Sequence, residues 1–433
     1  MDQPKPKKNS VKIRIKELFK SLLQHSLLTF QFFDQNGLGN HAAGGAYGFL
    51  LSAVPTLFIV SIFLLTAFRS LPQSVIDLFK DDIPFLEIVL NEDWLTVNFT
   101  AVTRAGISGV VSVVSLIWAG RLFAMTLLRG LKVIFTGNKS RNMLVENLIA
   151  LLIQLLVPLS ALALILSSYT AMRVYESSNF LPISVYNFIL SFRSWVFPFI
   201  ALGFVSYAAY RIIPANVPRR LSALQGSLFC AIPYSVTALT LRLIISKTRY
   251  NVIYGTLGDL IFLLVNVFFF FFFFFLGAQY AKVADSSDAL LFTNLLKTRK
   301  DGGQKRGLWY KLFSEPSGKL VQYIQRYDAD ESIMLKGDME QGTFFLLEGE
   351  AELRILAEKN KEGRRLYKLK AGTFFGEMDH HISKGKKIVV TTVTPISALV
   401  LPHGLFNDLV KTDTRVDRAI IDNLSRRLTS TIE

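Results

Sequence analysis

The sequence predicts an α-helical polytopic membrane bundle of six transmembrane helices, followed by a C-terminal β-roll or jelly roll with flanking helices, an α+β second half. Three observations predict it. Of 433 residues, 51% are apolar and the mean hydropathy is +0.37, too apolar for an ordinary soluble protein. Six stretches can each supply the roughly 20 apolar residues that a helix needs to cross a bilayer core. From about Ser314 onward the pattern changes to short alternating strands separated by glycine.

The first element, residues 1–43, is basic. MDQPKPKKNSVKIRIKELFK carries seven Lys and Arg, and no short apolar core with a small-residue cleavage site follows it, so it reads as a retained cytoplasmic segment. The six spans of residues 44–290 follow at roughly 44–68, 106–128, 146–169, 194–213, 221–245 and 257–281. Their orientation follows from Lys and Arg in the short loops. The segment Arg121–Arg141 carries five, RIIPANVPRR three and residues 282–311 seven, all on the side of the N-terminus if there are six spans. The loop from Arg69 to Thr100 has two basic against six acidic residues, as suits the outer side. Arg242, Lys247 and Arg249 break the rule in one short outer loop. The expectation is a multi-pass membrane protein with both termini cytoplasmic. Cationic loops against an anionic lipid surface then explain the net charge of +15 without nucleic acid as a partner.

Within the sixth span, Phe268 to Phe275 are eight consecutive phenylalanines. Rings on every face of a helix at bilayer depth touch lipid and neighbouring helices, so the run reads as packing. Cys230, the single cysteine, excludes an internal disulfide and a cysteine zinc cluster and reads as a small buried hydrophobe. A charged linker, 291–313, contains TRKDGGQKRG. The second domain, 314–433, opens on a predicted helix, GKLVQYIQRY. Strands follow in ESIMLKGD, GTFFLLEGEAELRIL, RLYKLKAGTFFGEM, KIVVTTVT and SALVLP, and an amphipathic helix near 414–428 closes it.

Polar groups inside the spans are the first candidates for a site, because intramembrane polar residues usually face a bundle interior or a wet cavity. They are Arg121, Arg129, Gln154, Gln225, Asp259 and Asn266. Arg129 also reads as a side chain reaching for the cytoplasmic face, and Gln154 and Gln225 as bridges between helices. Pro55, Pro158, Pro198 and Pro233 interrupt four spans, which can open a midplane cavity but is also common in ordinary membrane helices.

In the last third, Glu377, Asp379, His380 and His381 offer carboxylate and imidazole together. Adjacent histidines point different ways, and only the distant His403 remains as a further ligand, so the group reads as a solvated turn rather than a metal site.

Two resemblances add to this. HAAGGAYGFLLSAVPTLF, SLIWAGRLFAMTLLRGLKVIF and YGTLGDLIFLLVNVFFFFFFFFLGAQYA resemble, in order and spacing, the YihY/BrkB family of bacterial inner-membrane proteins over about residues 20–290. The chain departs from that pattern at Asn266, near which a tryptophan is usual, and at Gln279, where a glutamate is usual. The second resemblance, over about 314–433, is to a cyclic-nucleotide-binding domain, through YDADESIMLKGD, TFFLLEGEAEL, LKAGTFFGEM and TTVTPISALVLPHGLFNDLV. It implies cyclic AMP or cyclic GMP as ligand. The cyclic phosphate would sit on backbone amides of a short helix after Phe-Gly-Glu and on one arginine, and the glutamate would take the ribose hydroxyl. Gly376 and Glu377 match that pattern. Counting forward, Lys386 stands where the arginine is expected, Lys387 at the following Ser/Thr position and Ile388 at the small alanine. Lysine attracts phosphate as a point charge but lacks the guanidinium fork. These substitutions favour a retired sensor or docking module over a working pocket.

Three function classes follow. The first is a non-enzymatic membrane protein that moves or gates a solute or lipid under control of the cytoplasmic domain. The second is a membrane scaffold that recruits a cytoplasmic protein partner through that domain. The third, an enzyme, finds little to work with: the five histidines form no His-x-His-x-Asp or His-Glu-x-x-His, and there is no Walker loop or nucleophile elbow. A DNA-binding regulator would need a helix-turn-helix after the roll, which the residues up to Glu433 do not accommodate. The transported species and the oligomeric state, a homo-oligomer included, are not encoded in any pattern read here.

Overall fold

The computed structural model describes residues 8–52, 107–136, 142, 144–150, 199–247, 250–300, 308–316, 318–335, 342–357, 360–375, 387–402, 404–406 and 421. The chain forms two units, Thr29–Asp285 and a discontinuous one made of Met1–Leu28 with Ser286–Glu433.

Helix α1, Lys8–Gln35, supplies residues to both, with the unit boundary after Leu28. In the first unit it ends at a tight turn where Gly37 takes φ +61°, a conformation that glycine adopts without strain. Helix α2 follows and is described over 38–52. Then come α3, Ile107–Ile134, α4, described over 144–150, α5, Phe199–Ile212, α6, Arg220–Lys247, and α7, Tyr250–Asp285. The predicted second span, from residue 107 on, and the fifth and sixth spans therefore lie within α3, α6 and α7, which extend beyond the apolar stretches. Of the third, only 146–150 is described, within α4. Among the described residues, two helical segments are long and apolar enough to cross a membrane, Arg220–Leu241 and Ile261–Asp285, with the shorter Phe199–Ile212 beside them. Pro55, Gln154, Pro158 and Pro198 lie outside the described residues; Pro233 lies inside α6, which continues through it.

The core of this unit gathers Phe33, Leu38, Leu127, Leu131, Tyr210, Cys230, Phe271, Phe274 and Phe275. The phenylalanine run splits by face: Phe271, Phe274 and Phe275 are buried, whereas Phe268, Phe269, Phe270, Phe272 and Phe273 are partly exposed, as the 3.6-residue period requires. Small residues let the rings in. A Cβ on Gly45 would stand 2.7 Å from the Phe271 ring, and one on Gly130 would run into Phe275. Helices α6 and α7 cross at Gly226 and Gly277, where a Cβ on Gly277 would lie 2.5 Å from the Gly226 carbonyl oxygen. Close backbone approach at small residues is how helices associate without a hydrophobic driving force between them.

The second unit is a β-roll faced by helices. Helix α8, Ser287–Lys300, and the short α9, Leu308–Phe313, precede a 3-10 turn, Gly318–Tyr323. The strands are β1 Ile324–Tyr327, β2 Ser332–Leu335, β3 Thr343–Glu348, β4 Glu350–Ala357, β5 Asn360–Lys370, β6 Phe374–Phe375, β7 Lys387–Thr392 and β8 Ile396–Leu401. They form two antiparallel sheets, ordered β1-β8-β3-β6 and β2-β7-β4-β5. In the first sheet both faces are apolar, which explains the continuous run TFFLL rather than an alternation. Phe344, Leu346, Ile396 and Ala398 point into the roll with Phe375 and Val390. Phe345, Leu347, Leu399 and Leu401 point out, onto Ala289, Phe292, Leu295 and Leu296 of α8. The β3–β4 hairpin turns at Gly349, φ +86°, where a side chain would meet the Pro395 carbonyl.

Two expectations change. GKLVQYIQRY is not a helix: its first half is the 3-10 turn and IQRY is β1, paired with β8 from Ile324↔Leu399 to Tyr327↔Ile396. A free edge on β8 captures a segment whose Val, Ile and Tyr suit a strand as well as a helix. The linker drawn over 291–313 is helical up to Lys300 and again from Leu308. The predicted closing helix, 414–428, lies outside the described residues apart from the helical Ile421.

Candidate functional sites

In the β-roll unit, the sequence-predicted pocket falls between β6 and β7. Phe374 and Phe375 fix its near side: Phe375 stacks on Phe344 at 4.9 Å inside the roll, and Phe374 meets Phe345 at 4.8 Å and Phe292 at 6.0 Å outside it. Gly376, Glu377, Asp379, His380, His381 and Lys386 lie outside the described residues, as does His403. Lys387 and Ile388 open β7, with backbones opposite Leu356 and Ile355 of β4. The structure therefore brings the two ends of the 376–386 connection onto the roll.

A separate cleft of about 1090 Å³ opens in the same unit, between Lys20 and Gln24 of α1 and the edge formed by Val321, Ile324, Arg326 and Leu347. Its walls are joined by Gln24 Nε2 donating to the Leu312 carbonyl at 2.6 Å and by the Lys20–Glu315 ion pair at 3.4 Å. Burial pushes the His25 imidazole below its ordinary pKa, partly offset by the Asp288 carboxylate. Among the described residues, none of the predicted site residues lines this cleft.

In the helical unit the polar candidates form separate contacts rather than one site. The Arg121 guanidinium lies 3.8 Å from the Trp118 ring centroid and donates from Nη1 to Asn147 Oδ1 on α4 at 3.0 Å. Asn266 on α7 accepts from the Tyr234 hydroxyl of α6 at 3.4 Å. Gln279, buried, accepts from Asn36 Nδ2 at 3.2 Å. Asn266 and Gln279 are 13 residues apart, about 20 Å along α7 and on different faces, so they cannot meet. The backbone of Asp259 lies two turns before Asn266 on the same helix. Gln225 and Arg129 are exposed. Sequence reasoning missed the partners Asn36, Asn147 and Tyr234, and also a buried polar group in which Ser206 Oγ lies 3.5 Å from Cys230 Sγ and the Tyr210 hydroxyl donates to the Phe274 carbonyl at 2.7 Å. The signal available was their polarity inside apolar helices; pairing them needs the helix packing.

The extent of the helical unit, Thr29–Asp285, is nearly that of a known family: the model described as "Virulence factor BrkB" matches residues 29–294. The chain belongs to the BrkB family. It is a BrkB-family membrane protein that also carries a cyclic nucleotide-binding domain, matched by that family's model over residues 324–413. No curated protein matches this BrkB-family chain. Similar solved structures include a CooA mutant from Carboxydothermus hydrogenoformans, 13% identical, covering 29% of this chain and 76% of that one at TM-score 0.23. The CO-sensing protein of R. rubrum is 19% identical, with coverages of 25% and 48% and TM-score 0.21. The c-di-GMP responsive regulator CLP of Xanthomonas campestris is 24% identical, with coverages of 25% and 55% and TM-score 0.22. At those scores they carry no argument beyond the family match.

Proposed function

We propose that the chain is a six-span inner-membrane protein, with both termini cytoplasmic, that moves or gates a solute or lipid without catalysis, and that the cyclic nucleotide-binding domain regulates it. The observation that carries this reading is the joining of a BrkB-family unit, 29–294, to a domain of a ligand-sensing family, 324–413, in one chain. The orientation rests on the Lys and Arg of the short loops; the contacts Lys132–Glu146 at 2.7 Å, Arg211 Nη1 to the Pro218 carbonyl at 2.6 Å and Arg219–Asp285 at 3.8 Å each join groups assigned to one and the same side. All lie at helix ends expected on the cytoplasmic side. The non-enzymatic reading rests on the sequence, where the five histidines are dispersed and form no His-x-His-x-Asp or His-Glu-x-x-His.

Two experiments test it. The full chain reconstituted in liposomes is expected to change the distribution of a trapped solute or a labelled lipid; no change for any candidate would refute the transport reading. Calorimetric titration of cyclic AMP and cyclic GMP into the full chain, with Lys386→Arg alongside, tests regulation. Binding by the native chain makes Lys386 the phosphate anchor. Binding gained only by the arginine variant means that the roll is intact and its pocket retired, and turns the search to cytoplasmic protein partners, the scaffold reading.

A further inference from the structure

Helix α3 presents an unusual surface. On a 3.6-residue helix Trp118, Arg121, Leu122, Met125, Arg129 and Lys132 fall within one stripe about 100° wide. Trp118 is 63% exposed, Leu122 44%, and on the neighbouring α4 Leu144 is 82% and Leu148 58% exposed. Arg129 is exposed as well. The patch is thus apolar and open, yet it carries cations. Lys132 is satisfied by Glu146, but among the described residues Arg121 has no carboxylate: its contacts are the Trp118 face and the neutral Asn147 amide. Stacking on a ring and donating from one nitrogen leaves other guanidinium N–H groups, held in a fixed plane, to bind an anion. Arg121 lies seven residues inside the end of the predicted span at residue 128, about 10 Å along the axis. A charge inside a membrane helix, with no carboxylate beside it among the described residues, is costly and marks a ligand pathway.

We propose that this stripe of α3 binds the phosphate headgroup of an anionic phospholipid, first at Arg129 and then at Arg121 about 12 Å deeper, with the acyl chains lying on Leu122, Leu144 and Leu148. The inference rests on the membrane reading above and deepens it by naming the lipid class. An anionic lipid fits because the exposed surface is apolar while Arg121 and Arg129 have no carboxylate partner among the described residues; a zwitterionic lipid offers the same phosphate but brings its own choline cation beside the arginines.

The test uses the purified full chain in phosphatidylcholine nanodiscs containing spin-labelled phosphatidylglycerol or spin-labelled phosphatidylcholine, and reads the motionally restricted fraction. The native chain is expected to prefer phosphatidylglycerol, by about five-fold for each basic residue engaged. Arg121→Gln and Arg129→Gln each lower that preference, and Arg121→Lys retains part of it. Equal restriction of the two lipids by the native chain overturns the proposal, as does an unchanged preference in the double glutamine variant. Loss of the preference in millimolar inorganic phosphate also overturns it, since the site would then take a free anion. If Arg121→Gln does not elute as a folded species, Arg129→Gln and Arg121→Lys carry the comparison. Failure of the chain to enter the bilayer at all would sink the membrane reading instead.

Discussion

At Gly277 there is no room for a side chain: a Cβ would lie 2.5 Å from the Gly226 carbonyl oxygen, 2.6 Å from the Cys230 Cβ and 2.7 Å from the Tyr210 hydroxyl. Gly277→Ala therefore forces α6 and α7 apart and should cost roughly 1–3 kcal/mol, read as a lower Tm of the detergent-solubilised chain; an unchanged Tm would mean that the two helices do not cross here. Tyr210→Phe removes the hydrogen bond to the Phe274 carbonyl and should cost about 0.5–1.5 kcal/mol, additive with distant changes but not with Gly277→Ala. His25 gives a pH dependence. Burial favours its neutral form, so its folded pKa lies below 6.5. As pH falls through that value the unfolded chain takes up a proton that the folded one refuses, and stability declines until the folded pKa is reached. Unfolding midpoints measured from pH 7.5 down to 5 should fall less steeply in His25→Gln. Residues of this kind were half legible in the sequence. Gly277 and Tyr210 are visible as letters, but their constraint comes from Gly226 and Phe274, tens of residues away, and no local period couples them. Trp118 and Arg121 sit one turn apart, so a helical period alone places them on one face.

At the scale of elements, α8 shows why composition misplaced a boundary. Ala289, Phe292, Leu295 and Leu296 repeat at helical spacing and are buried against the roll, but the charged tail TRKDGGQKRG made the region read as linker. Phe292 meets Phe345 and Phe374, both at 6.0 Å. Phe292→Ala should cost the roll about 3–5 kcal/mol, measured as loss of its near-UV signal at lower denaturant; a cost below 1 kcal/mol would return α8 to the linker. The strands β2 to β8 were legible because glycine turns and β-branched runs are local signals. Strand β1 was not, because its pairing with β8 joins residues 69 to 75 positions apart. The connection 376–386, which holds Glu377 and Lys386, is read from its motif alone, and the structure locates only its two ends.

At the scale of the whole molecule, the sequence made the order of parts legible: an apolar helical part, then a glycine-punctuated roll, both matched by family models. It did not reveal that the first 28 residues group with the C-terminal unit, because that association leaves no periodic trace. The account depends above all on which side of the membrane each part occupies. Cys230 is buried and is the single cysteine, so a Cys230→Ala background accepts single reporters at Ser10→Cys, Glu92→Cys and Ser430→Cys. Labelling these in intact cells and in inverted vesicles with a membrane-impermeant maleimide is the most direct measurement. Six spans predict that positions 10 and 430 react only in inverted vesicles and position 92 only in intact cells. Labelling of positions 10 and 430 from opposite sides would require an odd number of spans and contradict the account.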